Sequence, residues 1–473
     1  MYKKHAHNVT SNAMLLGKGI KASLLCIVVL CATSTISLSQ ETLDSALARA
    51  YSAHPSLNAF RASLRATDEA LPQALSGYRP RITATADIGA QYNDLDLPGR
   101  VGSQGPNYPR GVGVNVTQTV WNGNRTLNRV RSAESGIYAA RESLRATEQS
   151  ILYDAAQAYM NVLKDTAILN LRENNVEVLD EQLRQVRDRF TVGEVTRTDV
   201  AQAEARQAGA RSQVSVAQAI LKSSLARYRQ AVGADPKKLA PGKAVERLLP
   251  ANLTRALELG LSEHPSLSAS LHQLDLAEFN VKLAEGELYP TVSVTGSVAQ
   301  RYDVQGLGDR RSSASVVGAL SVPIYEGGEV TSRVRGAKET VAQRRLEVDV
   351  MRDTIRAGIV AAWGQLESSK AQIIAAQAQV QAAETALSGV REEAKVGQRT
   401  TLDVLNAQQE LLDARVILIS AQRDRVVASY LVLQTVGQLS AQRLGLKVSQ
   451  YQPKKHFDQV KDKLTGTQIP DGR

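Results

Sequence analysis

The sequence is poor in aromatic residues, with four Phe and 4% aromatics in 473 positions. That composition argues against a thick core built on large rings and favours long helices packed through small side chains. Cysteine is nearly absent: Cys26 and Cys31 are the two, both inside the apolar opening, which leaves the rest of the chain without a thiol, a disulfide or a cysteine metal site. Past that opening, no stretch has the roughly eighteen consecutive apolar residues of a membrane-spanning helix. Any passage of a bilayer would therefore be made by a β-barrel. Catalytic patterns are missing too. Of the six His, two lie in the opening, one in the tail, His54 and His264 are equivalent helix-cap residues, and His272 stands alone. With no nucleophile elbow, phosphate loop or metal spacing, an enzyme is not expected, and neither is a cofactor.

The formal charge of +10 does not mark a nucleic-acid binder. Lys3, Lys4, Lys18 and Lys21 precede the apolar run Leu24 to Cys31, and the tail from Lys447 carries six basic against three acidic residues, so the remaining excess is dispersed. The opening reads as a secretory signal peptide over 1–39, with Ser37 and Ser39 placed for a cut before Gln40. Leu30 ahead of Cys31 is too large for a lipoprotein acceptor site.

What the chain has is a repeat. Leu43 to Leu57, with His54-Pro55-Ser56-Leu57, recurs at an offset of 210 as Leu253 to Leu267, with His264-Pro265-Ser266-Leu267. Farther on the offset falls to 204: Trp121-Asn122-Gly123 matches Tyr325-Glu326-Gly327, Asp199 matches Asp403, and Val232-Gly233 matches Val436-Gly437. The difference falls in the loop between Tyr92 and Trp121, where insertions are tolerated. We therefore divide the chain into repeat 1 (40–233), a Pro-bearing linker (234–251), repeat 2 (252–437) and a Lys/Gln-rich tail (438–473) expected to be partly disordered.

Each repeat opens with a helix of about 35 residues counted across His-Pro, with Pro55 and Pro265 suited to the first helical position. Alternation of period two follows. Ile82, Ala84, Ala86, Ile88, Ala90 and Tyr92 form one strand, Val112, Val114, Val116 and Val120 a second, Val292, Val294 and Val298 a third, and Val316, Leu320 and Val322 a fourth. Four strands are too few to close a barrel, so the chain must oligomerise: two copies give eight strands and three give twelve. From Asn124 to Phe190 and from Gly328 to Ala394 the pattern is helical without Pro, about 100 Å in length. Val334, Val341, Val348, Ile355 and Ala362 hold one heptad position, and Leu366, Ile373, Val380, Leu387 and Ala394 continue on another, a coiled-coil seam with a stutter. Val192-Gly193 and Val396-Gly397 turn the chain into return helices expected over Thr198 to Val232 and Leu402 to Val436.

Helix, strand hairpin, long helix, Val-Gly turn and helix, given twice, resemble the TolC family of outer-membrane channel proteins over roughly Glu41 to Leu446. The His-Pro segments (usually Asn-Pro in the family), Trp121-Asn122-Gly123, Tyr325-Glu326-Gly327-Gly328 and the two Val-Gly turns with Asp-Val following carry the resemblance. It implies a mainly α chain with a transmembrane β-barrel, assembled as a homotrimer: twelve strands in the outer membrane and a twelve-helix tunnel in the periplasm of a Gram-negative bacterium. It further implies a passive exit duct for drug efflux or type I protein secretion, and for antibiotic resistance through efflux. Its partners would be outer-membrane lipid, an inner-membrane transporter of the RND or ABC class, and a periplasmic membrane-fusion adaptor that meets the tips at Val192, Gly193, Val396 and Gly397. In the family, an Arg past the second turn bonds to a Thr-Asp pair at the first and holds the tips shut, which falls here on Arg399 with Thr198 and Asp199. The competing reading makes Thr198 and Asp199 plain N-caps and leaves Arg399 solvated. Asp403 matches an acidic position that rings the tunnel mouth, against an N-cap as its plain reading. Asn406 stands where a second acidic ring is found, and Ala394 where the latch carries a Tyr; both departures weaken the match. Trp121 and Tyr325, at strand ends, suit either the membrane interface or a packing role at the junction. The alternative from another class is a periplasmic coiled-coil adaptor or scaffold outside the membrane, which would have no use for strands of membrane length.

Overall fold

The computed structural model describes residues 40–95, 103–304 and 307–470. The signal segment with Cys26 and Cys31, and the loop residues 98–102 and 306, lie outside the described residues. Glu41 anchors the start of the fold. Its N–H donates to the Lys238 carbonyl and its carbonyl accepts from Ala240 N–H, both at 2.9 Å. The buried Tyr159 hydroxyl lies 2.7 Å from that same Glu41 carbonyl and 2.6 Å from the Ala240 carbonyl. The linker is thereby pinned beside the first helix.

The opening helix of repeat 1 is three pieces: α1 (Leu43–Ala53), α2 (Pro55–Asp68) and α3 (Ala70–Leu75). His54 both ends α1 and caps α2, its ring Nδ1 accepting from Ser56 N–H at 3.2 Å with Pro55 next in line. The second break, after Asp68, departs from the expected unbroken helix and has a plain cause. Pro72 has no N–H for the Asp68 carbonyl and its ring crowds that carbonyl. Repeat 2 carries Lys282 at the matching position, and there α6 (Leu253–Glu263) is followed by an unbroken α7 (Pro265–Glu285).

The strands are β1 (Arg81–Ile88), β2 (Gln91–Leu95), β3 (Ser103–Asn107), β4 (Arg110–Trp121), β5 (Thr291–Tyr302) and β6 (Arg310–Ser321). One antiparallel sheet runs in the order β1-β4-β5-β6, and β2 pairs with β3 as a short second ladder. The first expected strand is thus interrupted at Gly89 and Ala90. Gly89 N–H donates to the Pro109 carbonyl at 2.8 Å, but Pro109 has no N–H to return, and the ladder lapses. Register puts Ile82 opposite Val116, Ala84 opposite Val114, Val114 opposite Val298, Val292 opposite Leu320, and Gly296 opposite Val316. All of these therefore lie on one face, while Thr83, Thr85, Asn115, Thr117, Ser293, Thr295, Ser297, Ser313 and Ser315 lie on the other. Val120 leaves the expected alternation at a register shift between Thr119 and Trp121, so that Trp121, opposite Val292, joins the apolar face. The apolar face is open to solvent: Ile82, Val112, Val298, Val316 and Leu320 are all exposed. So is the outer edge of β1 and of β6, neither of which has a second partner among the described residues.

Two left-handed residues in succession, Gly123 and Asn124 after β4, and Gly327 and Gly328 after β6, turn the strands into the long helices α4 (Arg125–Thr191) and α8 (Glu329–Lys395), each of 67 residues. Of the expected heptad positions, Val334, Val341, Val348, Ile355, Ala362, Leu366, Ile373 and Leu387 are buried along α8, while Val380 and Ala394 are only half-buried. The return helices are α5 (Arg197–Val232) and α9 (Thr401–Thr435). α4 packs with α5 and α7, α8 with α9 and α7, and α9 crosses onto α4.

The tail corrects the expectation of partial disorder. Leu439, Ala441 and Leu446 enter the same core as α1, α2, α4 and α9. A short helix α10 (Pro453–Val460) lies against α2, its buried His456 ring nitrogen 3.0 Å from the Asp68 carboxylate. Burial pushes the Asp68 carboxyl above the usual aspartate range, opposed by the His456 hydrogen bond and the Arg141 charge. Arg141 in turn stacks on the Phe457 ring at 4.8 Å.

Candidate functional site: the two hairpin tips

The tips are built alike. α4 ends with Gly193 N–H bonded to the Phe190 carbonyl and Glu194 N–H to the Arg189 carbonyl. α8 ends with Gly397 N–H to the Ala394 carbonyl and Gln398 N–H to the Glu393 carbonyl. Gly193 and Gly397 both have φ of +80°, which an L side chain resists, and that fixes glycine at the turn. Val192 and Val396, each 71% exposed, stand outermost.

The return helices begin one residue earlier than expected, and their N-caps are Thr196 and Thr400. Asp199 and Asp403 are each the third helical residue and close a capping box with that Thr. Asp199 Oδ2 accepts from Thr196 N–H at 2.9 Å and from its hydroxyl at 2.7 Å, and Asp403 Oδ2 accepts from Thr400 in the same way at 2.9 and 2.8 Å. The Asp403 carboxyl is held below the usual aspartate range by the Thr400 N–H, then by the Thr400 hydroxyl and the Arg399 charge. It therefore stays ionised near the helix start, where a negative charge is favoured.

Arg399 does not reach Thr198 or Asp199 within the chain. Its Nε donates to Glu393 Oε2 at 2.7 Å, across its own turn. Arg189 and Glu194 make the counterpart in the first tip, at 3.0 Å. Between the tips lies a cleft of about 850 Å³ lined from both sides, with Asp199, Arg189 and Thr196 on one wall and Arg399, Lys395 and Thr401 on the other. Arg399 and Asp199 thus share a cleft, and Thr198 is outside its lining. Ala394 also lines it. Asn406 faces elsewhere, accepting from Arg206 Nη2 at 2.8 Å.

Two participants are absent from the sequence reading. Glu393 sits six residues before Arg399, a spacing that becomes a contact only because the turn folds the chain back on itself. Arg206 has no local signal at all, since its partner is 200 residues away. The capping boxes, by contrast, are legible as Thr-x-x-Asp at 196–199 and 400–403. Among the described residues no helix is long and apolar enough to cross a membrane.

The family model described as outer membrane efflux protein matches residues 43–234 and 256–438. The outer membrane efflux protein BepC of Brucella suis is 42% identical over 435 residues, 92% of this chain and 93% of that protein. The outer membrane protein TolC of Vibrio cholerae is 27% identical over 417 residues, 84% of this chain and 91% of that one. Among solved structures, the CmeC outer membrane channel of Campylobacter jejuni superimposes with a TM-score of 0.78 over 90% of each chain at 19% identity, a likeness of fold.

Proposed function

Since this chain belongs to the outer membrane efflux protein family and is an outer-membrane channel protein, we propose that three copies close one twelve-stranded barrel and continue as a twelve-helix tunnel into the periplasm. The observation that carries this is the four-stranded sheet with one apolar, solvent-open face and two edges without a partner strand among the described residues. Lipid tolerates the face but not the edges, because an unpaired N–H or C=O has no partner in hydrocarbon. Joining β6 of one copy to β1 of the next removes every edge. Two copies would give eight strands, a bore that side chains fill, whereas twelve leave room for an aqueous path. The duct carries out no reaction. It passes drugs or secreted protein delivered by an inner-membrane transporter of the RND or ABC class, through an adaptor whose coiled-coil hairpins meet Val192-Gly193 and Val396-Gly397.

The tips form the closed end. Arg399 leaves Glu393 for Asp199 and Thr198 across the cleft or between neighbouring copies, an exchange of one exposed carboxylate for another that costs little. Such a charge-assisted bond is strong enough to hold and weak enough to break. Three Asp403 carboxylates ring the mouth and favour cations, while Asn406 adds no charge to that ring. In planar bilayers, Arg399→Ser is expected to raise the single-channel conductance several-fold over wild type. Equal conductance in the two proteins would remove the latch.

A further inference from the structure

Above the tip cleft, the two hairpins of the chain are joined by a compact set of polar contacts. Gln182 Nε2 on α4 donates to Gln408 Oε1 on α9 at 2.6 Å, and Gln408 Nε2 donates on to Asn175 Oδ1 at 3.3 Å. Beside them Arg206 Nη2 on α5 donates to Asn406 Oδ1 at 2.8 Å. Gln408 is buried, with the buried Leu179 and Leu405 on either side of the seam. Among the described residues these are the bonds between the hairpins that lie nearest the tips. The next one up, Arg423 to Asn161 at 2.6 Å, is about 22 Å farther along α9. Below the set the hairpins part around the cleft, where Arg399 and Arg189 each pair inside their own hairpin.

We propose that this seam is a clamp, with Arg206 and Asn406 as its outer jaw, and that it is the fulcrum about which the gate opens. It rests on the reading of the tips as a gate. Three hydrogen bonds at one level fix the register of α9 against α4 and α5. Sliding or rotating α9 there would strand the buried Gln408 amide without partners, and buried polar groups are rarely left so. The part beyond the clamp, about 14 Å of α4 and α5 and about 8 to 10 Å of α9, has no such tie among the described residues and can swing. Asn406, expected at the tunnel mouth, is thereby a positioning residue. Its amide oxygen accepts a hydrogen bond from the Arg206 guanidinium without adding a carboxylate to the seam.

Conductance in planar bilayers, measured on the purified full chain, tests the clamp. Arg206→Ala and Asn406→Ala are each expected to raise the closed-state conductance about three-fold. The double variant should match either single one, because both remove the same contact. Arg206→Ala combined with Arg399→Ser should exceed both. Asn406→Asp supplies the readout that a merely structural role would not move: its carboxylate is neutralised by Arg206, so conductance stays low and the reversal potential in a salt gradient stays at the wild-type value. A shift of that potential toward cations would put residue 406 in the mouth and overturn the clamp. If Arg399→Ser opens the channel and Arg206→Ala does not, the clamp is wrong and the latch stands. If Arg206→Ala opens it and Arg399→Ser does not, the latch is wrong and the clamp stands. Should wild type form no channel, the proposed function fails, and hydrogen exchange in detergent decides the clamp separately. Amides 404–408 of α9, the first with carbonyl partners inside the helix or its cap, should then exchange about ten-fold faster in Arg206→Ala, and an unchanged rate would overturn it.

Discussion

Truncation after Gly437 is expected to remove the protein from the outer-membrane fraction almost completely. The segment lost carries Leu439 and Val460, both fully buried, with Leu446 nearly so. Burying three aliphatic side chains of this size contributes about 5 to 9 kcal/mol before chain ordering is set against it. That is comparable to the whole stability of an ordinary domain. The cut also removes His456 from Asp68 and the Ala441 N–H from Glu148, two buried or half-buried hydrogen bonds that tie the tail to α2 and α4. Glu148 is itself pushed above the usual range by burial, a shift that the Ala441 N–H opposes. Truncation after Lys463, beyond α10, is the control and should leave the amount in the outer membrane unchanged. Immunoblots of membrane fractions and the thermal transition of the purified protein read both outcomes.

The second large effect is expected at Gly123, where β4 gives way to α4. Its φ is +63°, and a Cβ there would overlap the Gly286 carbonyl oxygen and come within 2.8 Å of Tyr289 Cβ. Gly123→Val therefore combines left-handed strain of about 1 to 3 kcal/mol with overpacking of about 1 to 3 kcal/mol. Gly308, in the loop between β5 and β6, is also left-handed, with φ of +89°, and has no neighbour within 4 Å. Gly308→Val should therefore cost only the strain, about 1 to 3 kcal/mol. A large fall in the thermal midpoint for the first variant and a small one for the second is the expected pair. Equal shifts would mean that the packing of Gly123 on the turn after α7 contributes nothing.

These two sites also show what the sequence discloses and what it hides. The long helices are legible because 67 residues without Pro leave no other choice, and the sheet because alternation of period two holds through most of each strand, lapsing at Gly89 and Val120 and ending before Val322. The breaks at Asp68 and Gly89 were hidden only in part. Each is set by a proline, Pro72 or Pro109, whose effect falls on the carbonyl or the partner strand rather than on its own position. The tail misled because its few apolar residues follow no period and are outnumbered by Lys and Gln. Its order comes from a groove that other elements create. At the tips the turns were legible from Val-Gly alone, since positive φ is a local demand. The side-chain partners were not. Whether Arg399 meets Glu393 or Asp199 depends on which carboxylate its flexible stem can reach after folding, and Arg206 meets Asn406 only because α5 and α9 lie together.

Four strands per chain become one closed twelve-stranded barrel only if three copies assemble. The most direct measurement is the mass of the detergent-solubilised particle, corrected for bound detergent, with conductance recorded from the same preparation. Three chains per particle, and a small conductance with a preference for cations, are the predicted result. Two chains per particle, or a monomer that stays soluble without detergent and forms no channel, would contradict it.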